Sequence, residues 1–277
     1  MIWYADPQKL ARQLAAVHPG WFAAAVLASV ASNLFSAARW AAIARGLGLA
    51  APNGAAAIMY FRGMTMNVLL PGATVSGDLL RAYQLSQIAP NSLVPSGLSV
   101  LLDRLSGLWM LCAMSLLSLL VAIAAGSIPL DKTYSLYCAG LALALLGPFV
   151  PLPVNSVEEK RQALLRAKGP LVASAWLSAL VQVFSAAALW LCAIAAGLQL
   201  PYFVMLAAAA PIFVMGALPL GWGGFGAREA AAVVVLGAVG AAPGEATAAG
   251  LLYGLSAVLQ GVLSAPLFLA AGGRRRS

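Results

Sequence analysis

Charge is what this 277-residue sequence has least of: 9% of its residues are charged and 62% are hydrophobic, against about 25% and about 45–50% in soluble globular chains. A soluble domain cannot hide that much apolar surface, and the mean hydropathy of +0.91 points to a bilayer. The ten-residue alternation of spanning strands is missing, so the spans are expected to be helices. Histidine is nearly missing too. The single His18 stands beside Pro19, which offers no His-based metal site or triad and reads as an ordinary interfacial residue. Cys112, Cys138 and Cys192 all sit inside apolar runs, where a thiol behaves as a small hydrophobe, so neither a disulfide framework nor a metal cluster is indicated. Acidic residues are half as frequent as basic ones, 8 against 16, giving a net charge of +8. In a membrane chain that excess records orientation and contact with anionic lipid more than nucleic-acid affinity. No nucleic-acid partner, no metal and no cofactor are expected.

What is present is a series of apolar runs. Residues 1–20 lack one, and Leu10, Leu14 and Val17 recur opposite Lys9, Arg12 and Gln13, as in an amphipathic helix lying at the interface. A span is expected over 21–38, closed by an aromatic and basic boundary at Arg39, Trp40 and Arg45. The stretch 55–70 is too short for a comfortable crossing, holds Arg62 and ends at Pro71-Gly72; it reads as half a helix. A second short segment, 78–88, carries Asp78, Arg81 and Tyr83. Longer spans are expected over 97–125, with Asp103 and Arg104 near its start, and over 134–150. The basic loop 151–170 belongs in the cytoplasm. After a span over 171–197, a second interrupted region runs from 201 through Pro211 and Pro219 to the turn Gly221-Trp222-Gly223-Gly224-Phe225-Gly226. Arg228 and Glu229 then open a short helix, and a last span over 247–271 ends at Arg274-Arg275-Arg276. The basic clusters agree on an outer N-terminus, an outer Asp131-Lys132 turn, an inner 151–170 loop and an inner C-terminus. They leave open whether each interrupted region re-enters or crosses twice.

The two interrupted regions resemble one another, and the spans around them run in opposite directions. That is the pattern of an inverted repeat in a single transmembrane domain: an all-α polytopic bundle with two broken or re-entrant regions. Paired Gly/Pro-interrupted segments in corresponding halves point to a transporter binding site, because unwound backbone needs a cavity and half-helix N-termini present N–H groups to anions. The expected hinges are Pro71, Gly72, Gly77, Pro219, Gly221, Gly223, Gly224 and Gly226.

Ionisable residues at membrane depth cost about 2.5–3.5 kcal/mol each on insertion scales, so those retained tend to pair and to mark function. Asp78 and Arg81 can share a helical face, whereas the neighbours Asp103-Arg104 and Arg228-Glu229 cannot, which implies pairing across segments. Arg62, Arg81 and Arg228 stand beside glycine-rich breaks and are the expected phosphate clamp. Asp78, Asp103, Arg104 and Glu229 are the expected charge pairs or coupling groups. For Asp103 a simple packing clamp reads as well, and Arg39 stays open, since snorkelling accounts for it as for any flanking arginine. Trp222 and Phe225 could line a path for an acyl or prenyl tail, though interfacial anchoring explains them too.

Arg39-Trp40, Asn67-Val68-Leu69-Leu70-Pro71-Gly72 through Gly77-Asp78-Leu79-Leu80-Arg81, Leu102-Asp103-Arg104-Leu105, and Pro219-Leu220-Gly221 through Gly223-Gly224-Phe225-Gly226-Ala227-Arg228-Glu229 together resemble the lysylphosphatidylglycerol synthase transmembrane family. That family includes the flippase domain of the multiple peptide resistance factor. The resemblance covers nearly the whole chain and implies a multi-pass protein of the bacterial cytoplasmic membrane. It further implies movement of an aminoacylated phospholipid, a polyprenyl-phosphate carrier or a similar amphiphile between leaflets. Membrane lipids are the expected partners, and a lipid-modifying enzyme is a further candidate. Members usually begin with a further span, for which Met1-Ile2-Trp3-Tyr4 leaves no room. No soluble aminoacyl-transfer domain of the fused relatives is found in these residues, so lysyl transfer is not expected of them. Two other classes stay in view: a membrane-embedded transferase or phosphatase using Asp78, Asp103 or Glu229 as acid or base, and a non-transporting scaffold.

Overall fold

A computed structural model of the chain describes residues 17–70, 75–88, 90–129, 131–146, 168–218 and 224–269. Its helices are α1 (Pro19–Gly46), α2 (Asn53–Leu69), α3 (Val75–Ser86), α4 (Leu93–Ala124), α5 (Lys132–Leu145), α6 (Lys168–Ala195), α7 (Tyr202–Ala217), α8 (Ala227–Gly237), α9 (Pro243–Leu263) and the single turn α10 (Pro266–Leu269). Strands are absent among the described residues. Four stretches, Pro19–Gly46, Leu93–Ala124, Val172–Ala195 and Pro243–Phe268, are long and apolar enough to cross a membrane. The protein is an all-α, multi-pass membrane protein.

Helix boundaries follow from proline at starts and glycine at exits. After α1, Gly48 turns left-handed (φ 79°) and the Leu49 N–H returns to Ala44 O at 3.0 Å. After α6, Gly197 does the same (φ 90°), with the Leu198 N–H on Ala193 O at 2.9 Å. In each case a proline, Pro52 or Pro201, follows four residues later and precedes the next helix. The same exit written twice marks α1–α4 and α6–α9 as two copies of one unit.

The packing repeats as well. α1 and α6 lie antiparallel along their length. The His18 N–H donates to Ala195 O at 3.2 Å, Ser32 Oγ donates to Val181 O at 3.1 Å, and Arg39 Nη1 donates to Ser178 Oγ at 3.3 Å. Small buried residues on α1, Ala25, Ser29, Ser32 and Ser36, let the backbones approach, as membrane helix pairs require. α9 packs on α2 as α4 packs on α7: Thr65 Oγ1 donates to Gly261 O at 2.7 Å, and Ser115 Oγ donates to Leu206 O at 3.0 Å. Equivalent helices running oppositely about one seam are an inverted repeat.

Both interrupted regions fold back on themselves as helical hairpins. In the first, Met59 near the start of α2 shares a core cluster with Leu85 near the end of α3. Asn91 then clasps the two ends, donating to Ala50 O at 2.9 Å and accepting from the Ala50 N–H at 2.8 Å. In the second, Met205 of α7 clusters with Leu236 of α8. At 17 and 16 residues, α2 and α7 fall short of the roughly 20 that a crossing needs.

Several boundaries differ from expectation. α1 runs through Arg39 and Trp40 to Gly46, and Trp40 is buried, its Nε1–H on Ser99 Oγ at 3.0 Å, not at a membrane interface. α3 starts at Val75, so Gly77 lies in its first turn and not in the loop before it. α6 begins at Lys168, inside the expected 151–170 loop. The amphipathic segment up to residue 16, the loop 151–167, residues 147–150 of the span expected over 134–150 and Arg274-Arg275-Arg276 lie outside the described residues.

Candidate functional site

The two hairpins converge on one cavity of about 250 Å³. Gly63, Met64 and Asn67 of α2 with Gly77, Asp78 and Arg81 of α3 form one wall, and Phe213, Gly216 and Ala217 of α7 with Arg228 of α8 form the opposite one. Ser29 and Asn33 of α1, Arg104 of α4 and Tyr253 and Ala257 of α9 close the sides. The cavity thus lies between the two repeats, where inverted-repeat transporters bind their substrates.

Glycine makes the convergence possible. A Cβ on Gly77 would sit 2.6 Å from Asn67 Oδ1, the atom that accepts the Gly77 N–H at 2.8 Å. In the second hairpin a Cβ on Gly216 would meet Arg228 Nε at 2.8 Å. Gly224 and Gly226 take left-handed backbone (φ 79° and 91°), a conformation other residues adopt only with strain. Each returning helix carries an acid in its first turn, Asp78 in α3 and Glu229 in α8, where it complements the helix dipole. Glu229 Oε2 accepts the Gly226 N–H, so this carboxylate caps its own helix while the adjacent Arg228 faces the cavity.

Behind the wall lies a buried charge network. Asp103 accepts from Arg39 Nε at 2.8 Å and from Arg81 Nη1 at 3.4 Å. Arg81 also reaches Asp78 Oδ1 at 2.8 Å and lies between the rings of Trp40 and Tyr60, 4.9 and 4.7 Å from their centroids. Arg104 grips Asp78 with two of its nitrogens, Nε on Oδ2 at 2.8 Å and Nη2 on Oδ1 at 2.7 Å. Arg228 lies over Phe225 and Tyr253, 5.8 and 5.6 Å from the ring centroids. Among the described residues the cavity lining therefore holds three guanidinium groups and one carboxylate, a balance suited to an anion.

Neighbours in sequence reach different partners, Asp103 inward and Arg104 to the cavity. Of the three expected clamp arginines, Arg81 and Arg228 line the cavity and Arg62 does not. Arg62 turns to the far face of α2, where Nε and Nη2 donate to Leu267 O at 3.0 and 2.6 Å beside the Phe268 ring. Of the tail-path residues, Phe225 packs against Arg228, and Trp222 lies outside the described residues, as do the expected hinges Pro71, Gly72, Pro219, Gly221 and Gly223. Sequence reasoning missed Arg39 as a partner of Asp103 and missed Asn33, Asn67 and Gln260. Gln260 joins α9 to α1, accepting from Asn33 Nδ2 at 2.8 Å and donating to Ser29 Oγ at 2.9 Å. The signal was there: amides inside apolar runs need partners. Among the described residues no three His, Cys, Asp or Glu side chains gather as a metal site would need.

Residues 1–264 match a family model described as the lysylphosphatidylglycerol synthase TM region. No curated protein matches the chain.

Proposed function

The chain belongs to the lysylphosphatidylglycerol synthase transmembrane family, and from that premise we propose that it moves an anionic, phosphate-bearing lipid or polyprenyl-phosphate-type carrier between leaflets. The observation that carries this reading is the cavity between the two hairpins, whose described lining sets three arginines against one aspartate. Arg81 and Arg228, one from each repeat, hold the phosphate from opposite walls, neutralising the charge that makes midplane passage costly. As the headgroup arrives, Asp78 and Asp103 exchange guanidinium partners, and the two halves rock about their antiparallel seam to open the cavity to either leaflet. The membrane is the bacterial cytoplasmic membrane, the C-terminus is cytoplasmic, and a lipid-modifying enzyme supplies or consumes the lipid.

A leaflet-accessibility assay on purified protein in proteoliposomes tests this. It uses labelled anionic phospholipids and a polyprenyl phosphate, with exposure to an impermeant reagent as the readout. The wild type accelerates exposure of at least one lipid, and Arg81→Ala or Arg228→Ala slows it about tenfold to a hundredfold, the loss of one charge-assisted contact. Unchanged rates in both folded variants would rule out the phosphate clamp.

A further inference from the structure

We propose that Arg104 forms the lateral mouth of the cavity, where the phosphate of an incoming lipid takes the guanidinium fork now filled by Asp78 while the lipid's chains stay on the bilayer-facing side of α3 and α4. The proposal rests on the lipid-transport reading and names where the lipid meets the protein.

Three observations carry it. Arg104 is the twelfth of 32 residues in α4, about 7 Å from the helix midpoint at 1.5 Å per residue, yet its side chain is 42% exposed. A guanidinium at that depth is costly unless it meets an anion or a polar cavity; Arg104 lines the cavity and holds Asp78. Around it the outer surface is apolar: Leu101, Leu105 and Leu108 of α4 and Leu79 of α3 are all exposed, forming a lipid-facing rim about a single charged pair. The cavity, at about 250 Å³, is also smaller than the roughly 300–1,000 Å³ that encloses a drug-sized ligand. It can admit a headgroup but not a diacyl body, so the chains must remain outside through a side opening.

Asp78 marks the place. Its two oxygens meet Arg104 in the bidentate geometry that a phosphate would adopt, and its side chain is itself 22% exposed. The carboxylate keeps the fork occupied when no lipid is bound, and an incoming phosphate displaces it.

The test places p-benzoylphenylalanine at Leu105, and separately at Val121 on another face of α4, in full-length protein in nanodiscs of equal parts phosphatidylglycerol and phosphatidylcholine. Irradiation followed by mass spectrometry gives the ratio of the two lipid adducts at each position. At Leu105 the ratio exceeds that at Val121 by about tenfold, what one charge-assisted contact supports. Arg104→Gln removes the excess, and Asp78→Ala, which vacates the fork, increases it. Equal ratios at the two positions in the otherwise wild-type protein would overturn the proposal, and so would an excess that survives Arg104→Gln. Because adducts are counted without transport, enrichment with no leaflet exchange would defeat the flippase reading and leave the mouth standing. Exchange without enrichment would do the reverse.

Discussion

Asp103 sits between Arg39 and Arg81 with 1% of its surface exposed, so each charge in the group is tolerable only because of the others. Removing one member of a buried ion pair leaves its partner uncompensated, at a cost of about 3–5 kcal/mol. Asp103→Asn is therefore expected to lower the thermal unfolding midpoint in detergent sharply. Asp131→Ala, which removes only the cap on Tyr134 N–H, should cost about 1 kcal/mol. Equal shifts would mean that the three-residue cluster holds nothing together. At this scale the sequence told residue types better than partners. That the charges would pair across segments followed from their spacing, but Arg39 is 64 positions from Asp103, and no local pattern links them. Arg62 and Arg81 look alike in sequence, each beside a helix break. They part because Leu267, in the single turn α10, presents its main-chain carbonyl to Arg62.

Each hairpin depends on backbone passing backbone at a glycine. A Cβ on Gly77 would press on Gly63 O and Asn67, and helix-to-helix contacts cannot yield without shifting the tip. Gly77→Ala is expected to cost about 1–3 kcal/mol, as overpacking does, and to reduce transport because Asp78 and Arg81 move with it. Gly54→Ala, with nothing within 4 Å of the new methyl, should be neutral or stabilising by up to about 1 kcal/mol. Thermal unfolding of the two variants side by side checks this, and a harmless Gly77→Ala would contradict the close crossing. The breaks themselves were legible, since Pro71-Gly72 and Pro219 end runs too short to span. Whether those runs turned back or crossed was not, because both routes return the chain to the same side. What holds the first hairpin in place is long-range: Asn91 against Ala50, and Asp78 against Arg104 of α4.

For the whole molecule, the cavity's size separates headgroup from tail. Lipids sharing a headgroup but differing in chain length are expected to move at similar rates in proteoliposomes, whereas enlarging the headgroup should slow exchange steeply. Rates that track chain length would place the tails inside the protein. The inverted relation of the halves was readable from the basic clusters and the two breaks, and the paired Gly48–Pro52 and Gly197–Pro201 exits would have strengthened it. What the sequence did not disclose is the crossing of partners, α4 on α7 and α9 on α2. Small, apolar residues line most faces of every helix, so no stripe singles out a neighbour.

That crossing means neither half owns its core. Thr65 is satisfied by α9, Ser115 donates to α7, and the seam of α1 and α6 needs one helix from each half. A single peptide-bond cut between α5 and α6 should therefore leave the bundle in one piece: the two fragments are expected to co-elute in detergent as a particle of the uncut size and to separate only on unfolding. Such a chain is less a string of two domains than a handclasp, in which the connecting segment fixes stoichiometry while the grip comes from the fingers.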